Sequence, residues 1–220
     1  MFGDPAERFY PIVDADVCRE RRLDPRAIAR ACLRGGARVL QLRVKTGSSA
    51  AFLDLATGVV ADAAPSGALV IVNDRPDIAR MAGAGGVHVG QEDLPPEAVR
   101  AVLGDGVIGL STHDAAQVTA GLASAADYIA VGPVFSTRTK DTGYAARGLD
   151  LVRAAAGRGK PVVAIGGIDL ARAAQVVAAG ASAVAVITDV LRDDPERRTR
   201  AYLDALRAVR SGGERRESNI

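Results

Sequence analysis

Tryptophan is absent from the 220-residue chain, aromatic residues make up only 4% of it, and it holds two cysteines and three lysines. With so few rings, a hydrophobic fraction of 48% must build its core from Ala, Val, Leu and Ile. No apolar run reaches the roughly 20 residues a bilayer-spanning helix needs. The start, Met-Phe-Gly-Asp-Pro-Ala-Glu, has neither the basic residues nor the apolar stretch of a secretory signal. Cys18 and Cys32 lack metal-ligand spacing, and no His/Cys cluster suited to zinc exists. They read as reduced, partly buried thiols of a soluble, cytoplasmic protein. A basic excess is missing too: 28 basic residues meet 26 acidic ones, for a net charge of +2. That balance excludes a dedicated nucleic-acid binder, whose charge would gather on one face. Arginine supplies nearly all the positive charge, so Lys45, Lys140 and Lys160 are exceptions. A compact ammonium is a point charge suited to phosphate oxygens, which a forked guanidinium does not replace.

What is present is a repeat of short apolar runs and longer helical patterns. The runs are Phe9–Val13, Arg38–Leu42, Ala68–Val72, Gly86–Val89, Val107–Leu110, Tyr128–Val131, Pro161–Ile165 and Ala183–Ile187. They are rich in Val and Ile and apolar on successive residues, the pattern of parallel strands buried on both faces. Helices are expected at Pro25–Leu33, Ser48–Asp62, Pro76–Met81, Pro95–Leu103, Asp114–Ala123, Leu149–Ala156, Leu170–Ala179 and Pro195–Val209. Gly35, Gly83 and Gly180 fall where a left-handed helix end favours glycine. Eight strand–helix units with right-handed crossovers predict a single (β/α)8 TIM barrel over residues 1–210. An open dinucleotide-binding sheet would need a Gly-rich turn after the first strand, and Asp14-Ala-Asp-Val has none. Residues 211–220 read as a polar, disordered tail.

In such a barrel the chemistry sits at the strand C-termini. After the second run, Gln41, Arg43 and Lys45 alternate onto one side. They offer a donor–acceptor amide, a guanidinium fork and a point charge, suited to a heterocycle and a diphosphate. Asp74 and Asp93 follow the third and fourth runs. They either hold a Mg²⁺, a hard cation taking oxygen ligands, or cap the helices that start beside them. Ser111 ends the fifth run as a phosphate donor, His113 reads as opening a helix, and His88 as structural. The segment Ser136–Gly143, with Thr137, Thr139 and Lys140, reads as a lid over an anion. Gly166-Gly167 and Ile187-Thr188 end the last two runs, where many such barrels bind a phosphate. Two anion sites without a nucleophile–base pair suggest positioning and electrostatic stabilisation of a departing pyrophosphate.

These residues carry a resemblance. Gln41-Leu-Arg43-Val-Lys45, Val72-Asn73-Asp74-Arg75, Val87-His88-Val-Gly90-Gln91-Glu92-Asp93-Leu94 and Ile108-Gly109-Leu-Ser111-Thr112-His113 are joined by Val131-Gly132-Pro133-Val-Phe135, Thr137-Arg-Thr139-Lys140, Ala164-Ile-Gly166-Gly167-Ile168 and Val184-Ala-Val-Ile187-Thr188. Taken in order, from Tyr10 to Leu191, they resemble the thiamine phosphate synthase family. The resemblance implies a barrel enzyme that joins a hydroxymethylpyrimidine diphosphate to a thiazole monophosphate, with Mg²⁺ and release of pyrophosphate. It implies Gln41 on the pyrimidine; Arg43, Lys45, Asn73, Ser111 and Lys140 on the diphosphate; and Asp74 and Asp93 on Mg²⁺. Thr137, Thr139, Gly167, Ile187 and Thr188 would contact the thiazole phosphate or its surroundings. Val13, Val44 and Ser136 depart from the family pattern, where Thr, an acid and Pro are usual, and none of them is a proposed ligand.

Two rival readings remain at this level. A thiazole tautomerase-like relative would use a His after the sixth run, where this chain has Gly132-Pro133-Val134. A catalytically silent phosphate-binding barrel would not need both anion clamps and both carboxylates. The sequence leaves the oligomeric state open, a homo-oligomer included.

Overall fold

Strands that are apolar on successive residues need cover on both faces, and a closed sheet provides it. The computed structural model describes residues 1–136 and 145–209. Its strands are β1 (Phe9–Asp14), β2 (Val39–Arg43), β3 (Leu69–Asn73), β4 (Gly86–Val89), β5 (Val107–Thr112), β6 (Tyr128–Val131), β7 (Val162–Ile165) and β8 (Ala183–Val186). Each pairs in parallel with the next, and β8 returns to β1 through Phe9–Val184, Tyr10–Ala185 and Pro11–Val186. Around this barrel run α1 (Ala15–Glu20), α2 (Pro25–Arg34), α3 (Ser49–Ala63), α4 (Pro76–Ala82), α5 (Pro96–Leu103), α6 (Ala115–Ala123), α7 (Gly148–Ala155), α8 (Leu170–Ala178) and α9 (Pro195–Arg207). The expected (β/α)8 barrel is the observed architecture. The 211–220 tail, and Thr137, Thr139 and Lys140, lie outside the described residues. No helix among the described residues is long and apolar enough to cross a membrane.

The alternation of the strands divides the core in two. Leu40, Leu42, Val70, Val72, Val87 and Val89 face outward into the layer shared with the helices. Tyr10, Ile12, Val39, Ile71, Tyr128 and Val163 face inward. Each such Val, Leu or Ile contributes roughly 1.5–3 kcal/mol when fully buried. Alanines at 130, 183 and 185 are the small members of the inner set. The scarce rings are concentrated: Phe9 stacks on Tyr202 of α9 at 4.3 Å, joining the first strand to the last helix.

Carboxylate and hydroxyl caps start most of the helices. Asp24, Ser48, Asp114, Asp169 and Asp194 each accept a backbone N–H from the first turn of α2, α3, α6, α8 and α9. Such a cap is worth about 1 kcal/mol. Asp14 does the same for α1, the one α-helix the sequence pattern does not anticipate, because six residues are too few to show a helical period. β5 runs to Thr112 rather than Leu110, since Ser111 and Thr112 continue its pairing with Ala130 and Val131. Lys160 sits at the opposite end of a helix, donating to Gly121 O at 3.1 Å and Ser124 O at 2.5 Å, where α6 leaves carbonyls unpaired.

Gly83 and Gly180 take the expected positive φ, but Gly35 does not. Its φ is −67°, and Gly36 makes the left-handed turn at +100°. Gly35 is small for another reason. A Cβ there would lie 2.6 Å from Thr199 Cβ and 2.7 Å from Glu196 O, so glycine lets α9 seat against the end of α2. Gly35→Ala should therefore cost ~1–3 kcal/mol of unfolding free energy. The measurement is the denaturant midpoint at unchanged m-value; a variant as stable as its parent would show that α9 moves aside freely.

Candidate active site

Parallel strands bring all their C-terminal ends to one rim, and inward alternation selects which side chains meet there. Gln41 and Arg43 from β2, Asn73 from β3, His88 from β4, Ser111 from β5 and Ile187 just past β8 line one small hollow. Ile12, Ala130, Val163, Ile165 and Ala185 form its apolar wall. Gln41, Arg43, Asn73, Ser111 and Ile187 are thus brought together as the sequence suggests. Val44 packs against the outer core instead, in keeping with its place between two rim-facing residues.

The cations on this rim are already partnered. The Arg43 guanidinium pairs with Asp14, a carboxylate only 3% exposed that also caps α1. The Lys45 ammonium pairs with Asp74. Asp74 has a φ of +64°, unusual for a residue with a side chain but tolerated best by Asp and Asn. The conformation costs of order 1–2 kcal/mol, and the Asp74 N–H anchors it by donating to His88 O at 2.8 Å.

Neither carboxylate caps the following helix. Arg75 and Pro95 occupy the cap positions of α4 and α5, and no side chain closes either end. Asp93 instead accepts from Gly90 N–H at 2.7 Å. Burial raises the Asp93 carboxyl above its ordinary range; the Gly90 N–H opposes this, and the nearby Asp74 carboxylate raises it further. Two neighbouring carboxylates that share the single Lys45 ammonium keep an excess of acceptor oxygens suited to a hard cation. They form a pair only, since no group of three or more His, Cys, Asp or Glu side chains gathers among the described residues.

A second cleft adjoins the first. Gly167 and Thr188 line it with Ser136, Arg172 and Arg192, and Arg43 borders both spaces. Gly166 and Gly167 have φ of +99° and +63°. They also make room for the chain after β6: Cβ atoms would lie 2.6 Å from Pro133 Cα and 2.6 Å from Ser136 O. Phe135 N–H donates to Gly166 O at 2.9 Å, and Arg172 lies over the Phe135 ring at 4.8 Å. His113 joins this region, with Nδ1 2.7 Å from Gly132 O, while Asp114 rather than His113 caps α6. The sequence did not reveal Asp14 as the partner of Arg43, nor Arg172 at the cleft. Nor did it mark Tyr10, which lines the hollow beside Gln41, or Tyr128, whose one sequence trace is Gly109: Tyr128 and His88 fill the volume of its missing side chain.

Comparisons with known proteins converge. The family model described as thiamine monophosphate synthase matches residues 9–190. A thiamine-phosphate synthase of Mycobacterium avium is 49% identical over 83% of this chain and 85% of its own length. One from Chloroflexus aurantiacus is 38% identical over 92% and 93%. The solved thiamine phosphate pyrophosphorylase of Pyrococcus furiosus superposes with a TM-score of 0.84 at 29% identity, covering 93% of this chain and 98% of that one.

The raised Asp93 carboxyl has a consequence for stability. A carboxyl whose folded pKa is raised favours the fold while protonated and loses that contribution as the pH rises past its folded value. Asp93→Asn keeps an oxygen for the Gly90 N–H and removes the charge. It should raise the melting temperature at pH 7 in the absence of divalent metal. The gain should vanish as the pH falls below about 3.9, the ordinary aspartyl value. Thermal scans across pH decide this; an Asn variant that melts lower than its parent at pH 7 would show the charge to be fully compensated.

Proposed function

We infer the chemistry of this rim from one premise: the chain belongs to the thiamine monophosphate synthase family. It is a transferase that condenses 4-amino-2-methyl-5-hydroxymethylpyrimidine diphosphate with thiazole monophosphate, giving thiamine monophosphate and pyrophosphate. The observation that carries the site assignment is the place of Arg43, which borders both the hollow over Gln41 and the cleft over Gly167 and Thr188. Two anionic substrates seated in those spaces would meet at one guanidinium.

Each side chain then has a task. Gln41 reads the edge of the pyrimidine from the wall of the hollow. Arg43, Lys45, Asn73 and Ser111 hold the diphosphate, with Lys140 as a further cation from outside the described residues. Gly167, Ile187 and Thr188 receive the thiazole phosphate, joined by Thr137 and Thr139, also outside them. Asp74 and Asp93 fit Mg²⁺, because their facing carboxylates need a hard cation and leave its other positions to water and phosphate oxygens. When bound, that ion supplies positive charge beside the diphosphate.

The bond from the pyrimidine methylene to the diphosphate oxygen breaks first, and its electron pair leaves with pyrophosphate. Negative charge grows on the leaving group, next to Arg43, Lys45 and the Ser111 hydroxyl, which are placed in advance and need no reorganisation. The methylene cation would face Ile12, Ala130, Ile165 and Ala185, the apolar part of the lining, which offers no nucleophile. The thiazole nitrogen then supplies the lone pair of the new C–N bond from the adjoining cleft. A cytoplasmic setting suits two cysteines kept as buried free thiols.

Incubation with both substrates and Mg²⁺ should release pyrophosphate and thiamine monophosphate in equal amounts; absence of both products would refute the assignment. Asp93→Ala and Lys140→Ala should each lower turnover by at least about tenfold, since removing one preorganised charge contact costs a few kcal/mol. Lys45→Arg should also lose activity, because the fork does not reproduce the point charge on Asp74. Steady-state kinetics check all three, and near-parental kcat in each would argue against a charge clamp.

A further inference from the structure

An unbroken row of hydrogen bonds links the two polar ends of the hollow, with Tyr10 and His88 in its lining and Tyr128 buried between them. Gln41 Nε2 lies 3.1 Å from Tyr10 Oη, which lies 3.0 Å from Tyr128 Oη. Tyr128 Oη lies 2.9 Å from His88 Nδ1, and His88 Nε2 lies 2.9 Å from Ser111 Oγ. Tyr10 and Tyr128 are 1% and 0% exposed, so no bulk water reaches either phenol. Burial pushes both phenols well above their ordinary value, and each keeps its proton.

The row depends on a gap in the sheet. Gly109 on β5 lies between His88 on β4 and Tyr128 on β6 in the strand register. A Cβ at 109 would lie 2.1 Å from Tyr128 Cζ, 2.3 Å from its hydroxyl and 2.4 Å from His88 Nδ1. The hydrogen bond between those two rings occupies the volume a side chain would take.

Proton counting gives the row a direction. Each buried phenol has one proton and two neighbours in the row, so a satisfied row has every donor pointing the same way. With Gln41 Nε2 donating to Tyr10, the Tyr10 proton goes to Tyr128 and the Tyr128 proton goes to His88 Nδ1. The His88 proton then sits on Nε2 and is donated to Ser111 Oγ, which leaves the Ser111 proton for the hollow. Gln41 keeps Oε1 as an acceptor. Reversal requires all five groups to turn together, because a single turn sets two donors against each other or strands a buried proton.

We propose that Tyr10, Tyr128 and His88 are positioning residues, a one-way row of hydrogen bonds that fixes Ser111 as a donor and Gln41 as an acceptor. The hollow thereby selects a heterocycle diphosphate that offers a donor, such as an exocyclic amine, to Gln41 and an acceptor to Ser111. This selection rests on the function proposed above; the polarity of the row does not.

The test reads the two separately. The protein has two histidines, His88 and His113, so ¹⁵N spectra of the ligand-free protein resolve their ring nitrogens, with His113→Gln as the assignment control. His88 should be a single tautomer protonated on Nε2. Tyr10→Phe lies two links from the imidazole and leaves the Tyr128 hydroxyl free to donate or accept, so His88 should become a mixture of tautomers. Tyr128→Phe, which removes the contact itself, should shift Nδ1 directly. In kinetics, Tyr10→Phe should raise KM for the pyrimidine diphosphate by about three- to tenfold and leave kcat within about twofold, the mark of lost binding rather than lost chemistry. A His88 protonated on Nδ1 in the parent, or a Tyr10→Phe spectrum identical to it, would overturn the row even if catalysis is intact. Parental protein that releases no pyrophosphate would overturn the selection of substrate even if the spectra behave as expected.

Discussion

The pleat of a strand sends successive side chains to opposite faces. Closing the sheet through β1 and β8 makes one of those faces an interior. That geometric constraint decides what every rim residue does. It sends Gln41 and Arg43 inward and leaves Leu40 and Leu42 to the helices. It also places His88, Gly109 and Tyr128 side by side on three neighbouring strands. A slip of one residue in any strand would exchange polar and apolar faces, and the buried Val and Ile on the outer face hold the register against it.

Within that frame the site's two cations are paired before any substrate arrives, and one carboxylate is left over. Arg43 rests on Asp14 and Lys45 on Asp74, while Asp93 faces Asp74 with its carboxyl raised. These cations have fixed partners, so their directions are set and little side-chain entropy remains to be lost on binding. Asp74 is the hinge of this arrangement, because it touches the ammonium and the second carboxylate from a left-handed backbone.

The strands were legible in the sequence because continuous Val and Ile runs have few other uses, and the longer helices because Asp, Ser and Pro mark their starts. The helix α1 was not, since six residues carry no readable period. Asp74 and Asp93 stand in sequence contexts that favour caps, and only the folded chain shows Arg75 and Pro95 in those places. Gly35 was read as a conformational glycine and proved to be a close-approach glycine, because α9 returns from the far end of the chain. The polar row was hidden for the same reason: Tyr10 and Tyr128 are 118 residues apart, and nothing local marks them as neighbours. Gly109 lay inside a recognisable motif, but its meaning is an empty volume, which exists only once three strands are in register.

The closing of the ring also bears on how the molecule is made. A ribosome delivers Phe9 and Tyr10 well before their partners Val184 and Ala185. The ring of Tyr202, which covers Phe9, emerges later still. One flank of the first strand therefore stays unsatisfied until β8 is made, and pairing of such distant segments is slow. An exposed strand edge is a template for association with another chain. The seam between β1 and β8 is thus the edge that the topology leaves open longest.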